Sequence, residues 1–283
     1  MTLIADADAY LGPSGNRFFS SGYKRVSYDI ADESARDNGY ASIFKIIYPE
    51  DWSVKKNKLR PHLSSIDVML MSARACGKIL STRNNFNFEI SCITIRASKK
   101  PIEELDYIKI SFDVISESEN TLFFSGKVGN MSVNLEVIRH EEHDLQLSPA
   151  FNIEGFKHSV QSIKNIRIKS KFESEALVIK TINGERAKKL DYIDAFVSGL
   201  QLGQILLYEL DDITREGSNN LWMRSVNFKF HSKETTSNSN HLDVVLENTT
   251  LIRKHDAEWR SADIVANLNH IQVKCSVTHQ LNR

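Results

Sequence analysis

The chain has 283 residues, 41% hydrophobic and 25% charged, which suits one large globular domain or two of ordinary size. Its 36 Lys and Arg balance 36 Asp and Glu, arguing against a protein whose main business is nucleic acid or an anionic membrane. Cys76, Cys92 and Cys275 form no C-x-x-C pair, so neither a zinc site nor a disulfide framework is indicated, and reduced thiols are expected. The N-terminus lacks a basic region and a long apolar core, and no apolar run reaches the ~20 residues that span a bilayer. The expectation is a cytoplasmic protein.

Residues 1–22 read as a polar preamble with a turn at Leu11, Gly12, Pro13, Ser14 and Gly15. Strands are expected at 23–30 and 40–48, the second ended by Pro49. Lys55, Lys56 and Lys58 mark a basic, solvated loop. A helix follows at 64–80, then strands at 86–97, 107–115, 121–125 and 131–138, several with apolar residues at period two. The charged stretch 139–158 is the best linker. His140 and His143 there have the look of a metal pair, but lack the HExxH spacing, and a solvated linker is the better reading. Strands near 163–168 and 176–182, a helix at 191–213, and strands at 221–230, 242–252, 262–266 and 271–278 complete the chain.

The two helices look like copies. Ile66, Met69, Leu70, Ala73 and Leu80 match Ile193, Phe196, Val197, Leu200 and Leu207 at one offset, 194 − 67 = 127. The spacing is helical and apolar over much of the circumference, as in helices buried against something broad. Each opens with Ile-Asp, and each has a polar residue about two turns beyond the Asp, Arg74 or Gln201. Each half reads strand, strand, buried helix, then further strands. An antiparallel sheet wrapped around one helix is the economical solution, so the predicted class is α+β, a double hot-dog. The expected boundaries are a preamble at 1–22, a first unit at 23–145 and a second at 155–283.

Four stretches carry a resemblance to a known family. They are Tyr10-Leu11-Gly12-Pro13 with Arg17-Phe18-Phe19, and Pro61-His62-Leu63-Ser64-Ser65-Ile66-Asp67. The others are Asp194-Ala195-Phe196-Val197-Ser198-Gly199-Leu200-Gln201-Leu202-Gly203-Gln204 and Arg215-Glu216-Gly217-Ser218-Asn219-Asn220-Leu221-Trp222-Met223-Arg224. Through them the chain resembles the bacterial avirulence protein D family over essentially its whole length. The resemblance implies a role in making syringolides, acylated sugar-derived signals that plants perceive, from a β-ketoacyl chain and a pentulose. The family is also similar to A-factor-type butenolide synthases. The implied partners are a β-ketoacyl thioester, on a carrier protein or coenzyme A, and a ketose. The competing classes are a hot-dog dehydratase or thioesterase and a non-catalytic acyl-ligand binding protein.

The resemblance supplies no catalytic residue, so candidates come from side-chain chemistry. Asp67 and Asp194 are candidate acids on buried helix faces, where burial raises a carboxyl pKa and suits it to proton transfer. The competing reading is helix capping, since Ser64 with Asp67 and Asp191 with Asp194 have the capping spacing. Asp194 continues into a polar stripe with Ser198 and Gln201. Double hot-dog dehydratases place a Gln or His four residues after their Asp; Ser198 stands there, against a dehydratase. His62 is a candidate base, with an inert loop histidine as the alternative. Arg215, Asn219, Trp222 and Arg224, with Arg17 as a weaker member and Arg74 beside the first Asp, would hold a phosphate, a carboxylate or sugar hydroxyls. A capped helix end with surface charges is the alternative for the first four. There is no glycine-rich phosphate loop and no G-x-S-x-G, so no cofactor or metal is expected.

Overall fold

The computed structural model describes residues 2–54, 60–83, 87–140, 156–187, 189–218, 221–231, 240–254 and 257–281. The basic loop at 55–58, the linker from 141 to 155 with His143, and Asn219 lie outside the described residues. In chain order the elements are β1 (Thr2–Asp6), α1 (Ala7–Leu11), β2 (Ser27–Arg36), β3 (Gly39–Ile47), α2 (Ser65–Thr82), β4 (Asn87–Arg96), β5 (Ile108–Glu117), β6 (Thr121–Val128) and β7 (Met131–His140). There follow β8 (Ser159–Ser170), β9 (Glu173–Ile182), β10 (Glu185–Arg186), α3 (Tyr192–Asp211), β11 (Trp222–Phe230), β12 (His241–Lys254), β13 (Ala257–Leu268) and β14 (Ile271–Leu281).

Two compact units form. One comprises Lys24–Glu50 and Arg60–Lys157 and holds α2; the other comprises Met1–Tyr23, Asp51–Leu59 and His158–Arg283 and holds α3. In the α2 unit the antiparallel strand order is β4-β7-β6-β5-β3-β2. In the α3 unit it is β11-β14-β13-β12-β9-β8, with β1 added beyond β8. Numbered within each unit, with β1 and the two-residue β10 set aside, the two orders are the same: third, sixth, fifth, fourth, second, first. Each sheet carries its helix on one face, which is the hot-dog arrangement twice over.

Both helices are buried because their apolar residues run nearly all round. Ile66, Met69, Leu70, Ala73 and Leu80 are buried on α2, and Ile193, Phe196, Val197, Leu200 and Leu207 on α3. Each large side chain so buried contributes about 1.5–3 kcal/mol. The strands answer with period-two burial, Ile108, Ile110 and Phe112 on β5 and alternate residues from Ile271 to Leu281 on β14. Small residues let α3 sit close on its sheet. A Cβ at Gly199 would stand 2.5 Å from Ala266 Cβ, and one at Gly203 would stand 2.5 Å from Ile264 Cγ2.

Some elements differ from expectation. The strand predicted at 23–30 starts at Ser27 and runs to Arg36, after a 3-10 turn at Gly22–Arg25. As the last strand of its unit β2 is largely exposed, so it lacks the apolar alternation that marks a covered strand. Arg139 and His140 end β7 rather than start a linker, paired with Phe88 and Asn87. The preamble contains β1 and α1; Thr2 pairs with Ile168 of β8. Among the described residues, no helix is long and apolar enough to cross a membrane.

Candidate functional site

Both helix starts close a capping box, and in both the acidic member is almost completely buried. At α2, Ser64 Oγ accepts from Asp67 N at 3.2 Å, while Asp67 Oδ2 accepts from Ser64 N at 2.9 Å and from Ser64 Oγ at 2.8 Å. Two tyrosines complete the shell. Tyr48 Oη donates to Asp67 Oδ2 at 2.6 Å and Tyr28 Oη to Asp67 Oδ1 at 2.7 Å. Burial pushes the Asp67 carboxyl up, and Tyr48, the Ser64 amide and Tyr28 only partly offset this. Burial and the neighbouring Asp67 likewise hold the Tyr48 phenol well above its usual value, so it is a hydrogen-bond donor. Tyr48 also lines a cleft of about 940 Å³, with Lys45, Arg60, Pro61, Lys100 and Ile102 among its walls.

His62 joins this centre through its backbone, its carbonyl lying 3.2 Å from Tyr48 Oη; its ring Nδ1 lies 3.3 Å from Arg60 O. Arg74 is taken up elsewhere. Its Nε and Nη2 donate to the two oxygens of Glu33 at 2.8 and 3.0 Å. Burial alone would raise Glu33, but Arg74 and Tyr40 outweigh it and hold the carboxyl down to about 2. Arg74 is therefore half of a bidentate ion pair between α2 and β2.

At α3 the same box has ionic company. Asp191 Oδ1 accepts from Asp194 N at 3.0 Å, and Asp194 Oδ2 from Asp191 N at 2.8 Å. Lys180 of β9 donates to Asp194 Oδ2 at 2.6 Å and to Asp191 Oδ2 at 3.0 Å. Lys180 is 4% exposed and Asp194 1%. Burial, then the charge of Asp191, push the Asp194 carboxyl up to about 7, against the pull of Lys180. For Lys180 burial pulls downward, and the two aspartates more than offset it, so the ammonium stays charged.

Ser198 and Gln201 continue the stripe inside the α3 unit. Gln161 Nε2 donates to Ser198 Oγ at 2.5 Å and to Asp194 O at 3.0 Å. Gln201 Oε1 accepts from Arg17 Nη1 at 2.7 Å, and its Nε2 donates to Phe19 O at 2.9 Å. Arg17 in turn pairs with Asp8. Two candidates from opposite ends of the chain, Arg17 and Gln201, are thus in direct contact. Burial, with Arg215 nearby, lowers the Arg17 guanidinium. Arg215 Nη2 donates to Asn16 O at 3.2 Å; Trp222 is half-buried and Arg224 exposed on β11.

Sequence reasoning missed Tyr28, Tyr48, Lys180 and Gln161. Lys180 had a readable signal: it continues the inward row of Ser174, Ala176 and Val178, where a lysine needs a buried counter-charge.

Two like-folded units, each with a buried acid at the start of its central helix, define a double hot-dog protein. The family model of the Pseudomonas avirulence D protein (AvrD) matches residues 2–157 and 157–282. The chain belongs to that family. Among similar solved structures is a Mycobacterium avium subs paratuberculosis tesB protein, at 8% identity and TM-score 0.45, covering 88% of this chain and 96% of that one. A conserved protein with hot dog fold from Alicyclobacillus acidocaldarius matches at 10% identity and TM-score 0.43, covering 94% and 98%. The 12:0-ACP thioesterase from Umbellularia californica matches at 10% identity and TM-score 0.42, covering 89% and 96%. No curated protein matches the sequence.

Proposed function

We propose that the protein is an enzyme that condenses a β-ketoacyl thioester with a pentulose-like ketose, giving an acylated-sugar or butenolide signal of the syringolide kind. Family membership supports the substrates. The observation that carries the chemistry is Asp194, a buried carboxyl held at about 7 beside Lys180. A base whose pKa matches the working pH is best placed to exchange protons. The methylene between a ketone and a thioester is already acidic, so Asp194 removes its proton and Lys180 steadies the resulting charge. The positive end of the α3 dipole favours an enolate oxygen. Acyl transfer to a sugar hydroxyl places enolate and ketone in one molecule. Ring closure is then intramolecular, worth up to several kcal/mol.

The test is purified protein with a medium-chain β-ketoacyl thioester and a pentulose, with a chelator in a parallel sample. The expected result is thiol release that depends on the sugar and survives the chelator, with an acyl-sugar mass that has lost water. Thiol release that ignores the sugar would make the protein a thioesterase. An enoyl product would make it a dehydratase. Ligand retained without turnover would make it a binding protein.

A further inference from the structure

At the other end of α3 the same unit builds a second buried polar centre. Asp211 is the last residue of the helix, and its side chain is fully buried. Arg260 of β13 binds it with Nε 3.1 Å from each oxygen and Nη2 2.5 Å from Oδ1. His279 of β14, 0% exposed, has Nε2 3.6 Å from Asp211 Oδ2, an electrostatic contact beyond hydrogen-bond length. Its other nitrogen, Nδ1, lies 3.0 Å from Ser218 Oγ. Ser218 follows the 3-10 turn Arg215–Gly217 and bridges Leu281.

Serine, histidine and aspartate therefore stand in line, and the aspartate is clamped. For Nδ1 to accept from the serine, the imidazole proton must sit on Nε2. A carboxylate facing Nε2 favours that tautomer. A carboxylate in the last turn faces the negative end of the helix dipole. The inner row of β14 is otherwise Ile271, Val273, Cys275, Val277 and Leu281, all apolar. A histidine there spends an apolar position on a proton acceptor. Ser218 also lies within the 215–224 stretch that carries part of the family resemblance.

We propose that Ser218 is an acyl-accepting nucleophile, with His279 as its base and Asp211, held by Arg260, as the residue that positions His279. This rests on the acyl-thioester reading above for the identity of its donor. Ser218 Oγ bonds to the thioester carbonyl carbon as its proton passes to His279 Nδ1. The carbon–sulfur bond breaks, and the thiolate leaves with that proton as free thiol. The acyl group is then an ester on Ser218. A sugar hydroxyl gives its proton to His279 and bonds to the acyl carbon. The bond from Ser218 to that carbon breaks, and Oγ recovers the proton. No oxidant, reductant or further reactant enters.

Two probes on the full chain test this. The first is a fluorophosphonate, read by intact mass and peptide mapping. The expectation is one adduct, on Ser218, absent in Ser218→Ala and formed roughly 100-fold more slowly in His279→Gln. Ser218→Cys, checked by its melting transition, should instead take iodoacetamide faster than Cys76, Cys92 or Cys275. The second probe is the β-ketoacyl thioester without sugar, which should leave the acyl mass on Ser218. A Ser218 that reacts with fluorophosphonate when no thioester is turned over would uphold the nucleophile and sink the proposed reaction. Folded wild type with no adduct on Ser218, or sugar-dependent turnover unchanged in Ser218→Ala, would overturn the nucleophile and leave the proposed reaction standing.

Discussion

The starts of α2 and α3 share a capping box and a strand framework, yet they surround their acids with different partners. Asp67 is surrounded by neutral hydroxyls from Tyr28, Tyr48 and Ser64. Asp194 has a lysine and a second carboxylate. Hydroxyl donors soften the cost of burying a carboxylate without adding charge. At Asp194 burial acts first, the charge of Asp191 adds to it, and Lys180 only partly opposes them, so the carboxyl is held at about 7. A repeated fold thus keeps the cap and the burial-raised acid in both units and gives the ionic partners to one.

Removing the counter-charge should have the largest effect. Lys180→Met leaves two buried or half-buried aspartates facing each other, and a cost of about 3 kcal/mol in the denaturant midpoint is expected. Asp194 would also bind its proton more tightly, so the loss should shrink in acid. A variant as stable as wild type at pH 7 would show that the ion pair is not what holds this corner.

The pH dependence sharpens the contrast. Asp194 moves from 3.8 in the unfolded chain to about 7 in the fold, so the native state binds its proton more tightly. Its contribution to stability is complete below about pH 4 and is lost as pH rises through 7. Urea midpoints of wild type and Asp194→Asn, compared across this range, should show wild type losing ground steadily against the variant. A constant difference would contradict the raised value.

At α2 a smaller effect is expected. Tyr48→Phe removes one of the donors to Asp67 and should cost about 1–1.5 kcal/mol, measured by thermal or urea unfolding. Smallest of all is Arg74→Ala. Its pair with Glu33 is a quarter exposed on each side, so a loss below about 1 kcal/mol is expected, with turnover unchanged. A large drop in turnover would return Arg74 to the substrate-binding set.

The helices and most strands were legible because burial imposes a period, 3.6 on α2 and α3 and 2 on β5 and β14. The capping boxes were legible because their members stand three residues apart. The company around each acid was not. Tyr28 and Lys180 come from strands 39 and 14 residues away from the acids they touch, and Tyr48, just past the end of β3, from 19 residues away. A strand pattern gives the face a residue occupies, and tertiary register decides what it meets. The preamble hid for a related reason: β1 is short and polar, and its order comes from pairing with β8. His279 carried a signal that went unread, a lone polar residue in an apolar inner row.

The central claim is that Asp194 moves protons in a sugar-dependent condensation. The measurement is the rate at which Asp194→Asn forms the dehydrated acyl-sugar product, with its melting transition as the check on folding. Asparagine keeps the shape and much of the cap, so a fall of roughly 10²–10⁴-fold with the transition nearly in place is predicted. A variant that melts early yet turns over at the wild-type rate would show that Asp194 is a cap alone.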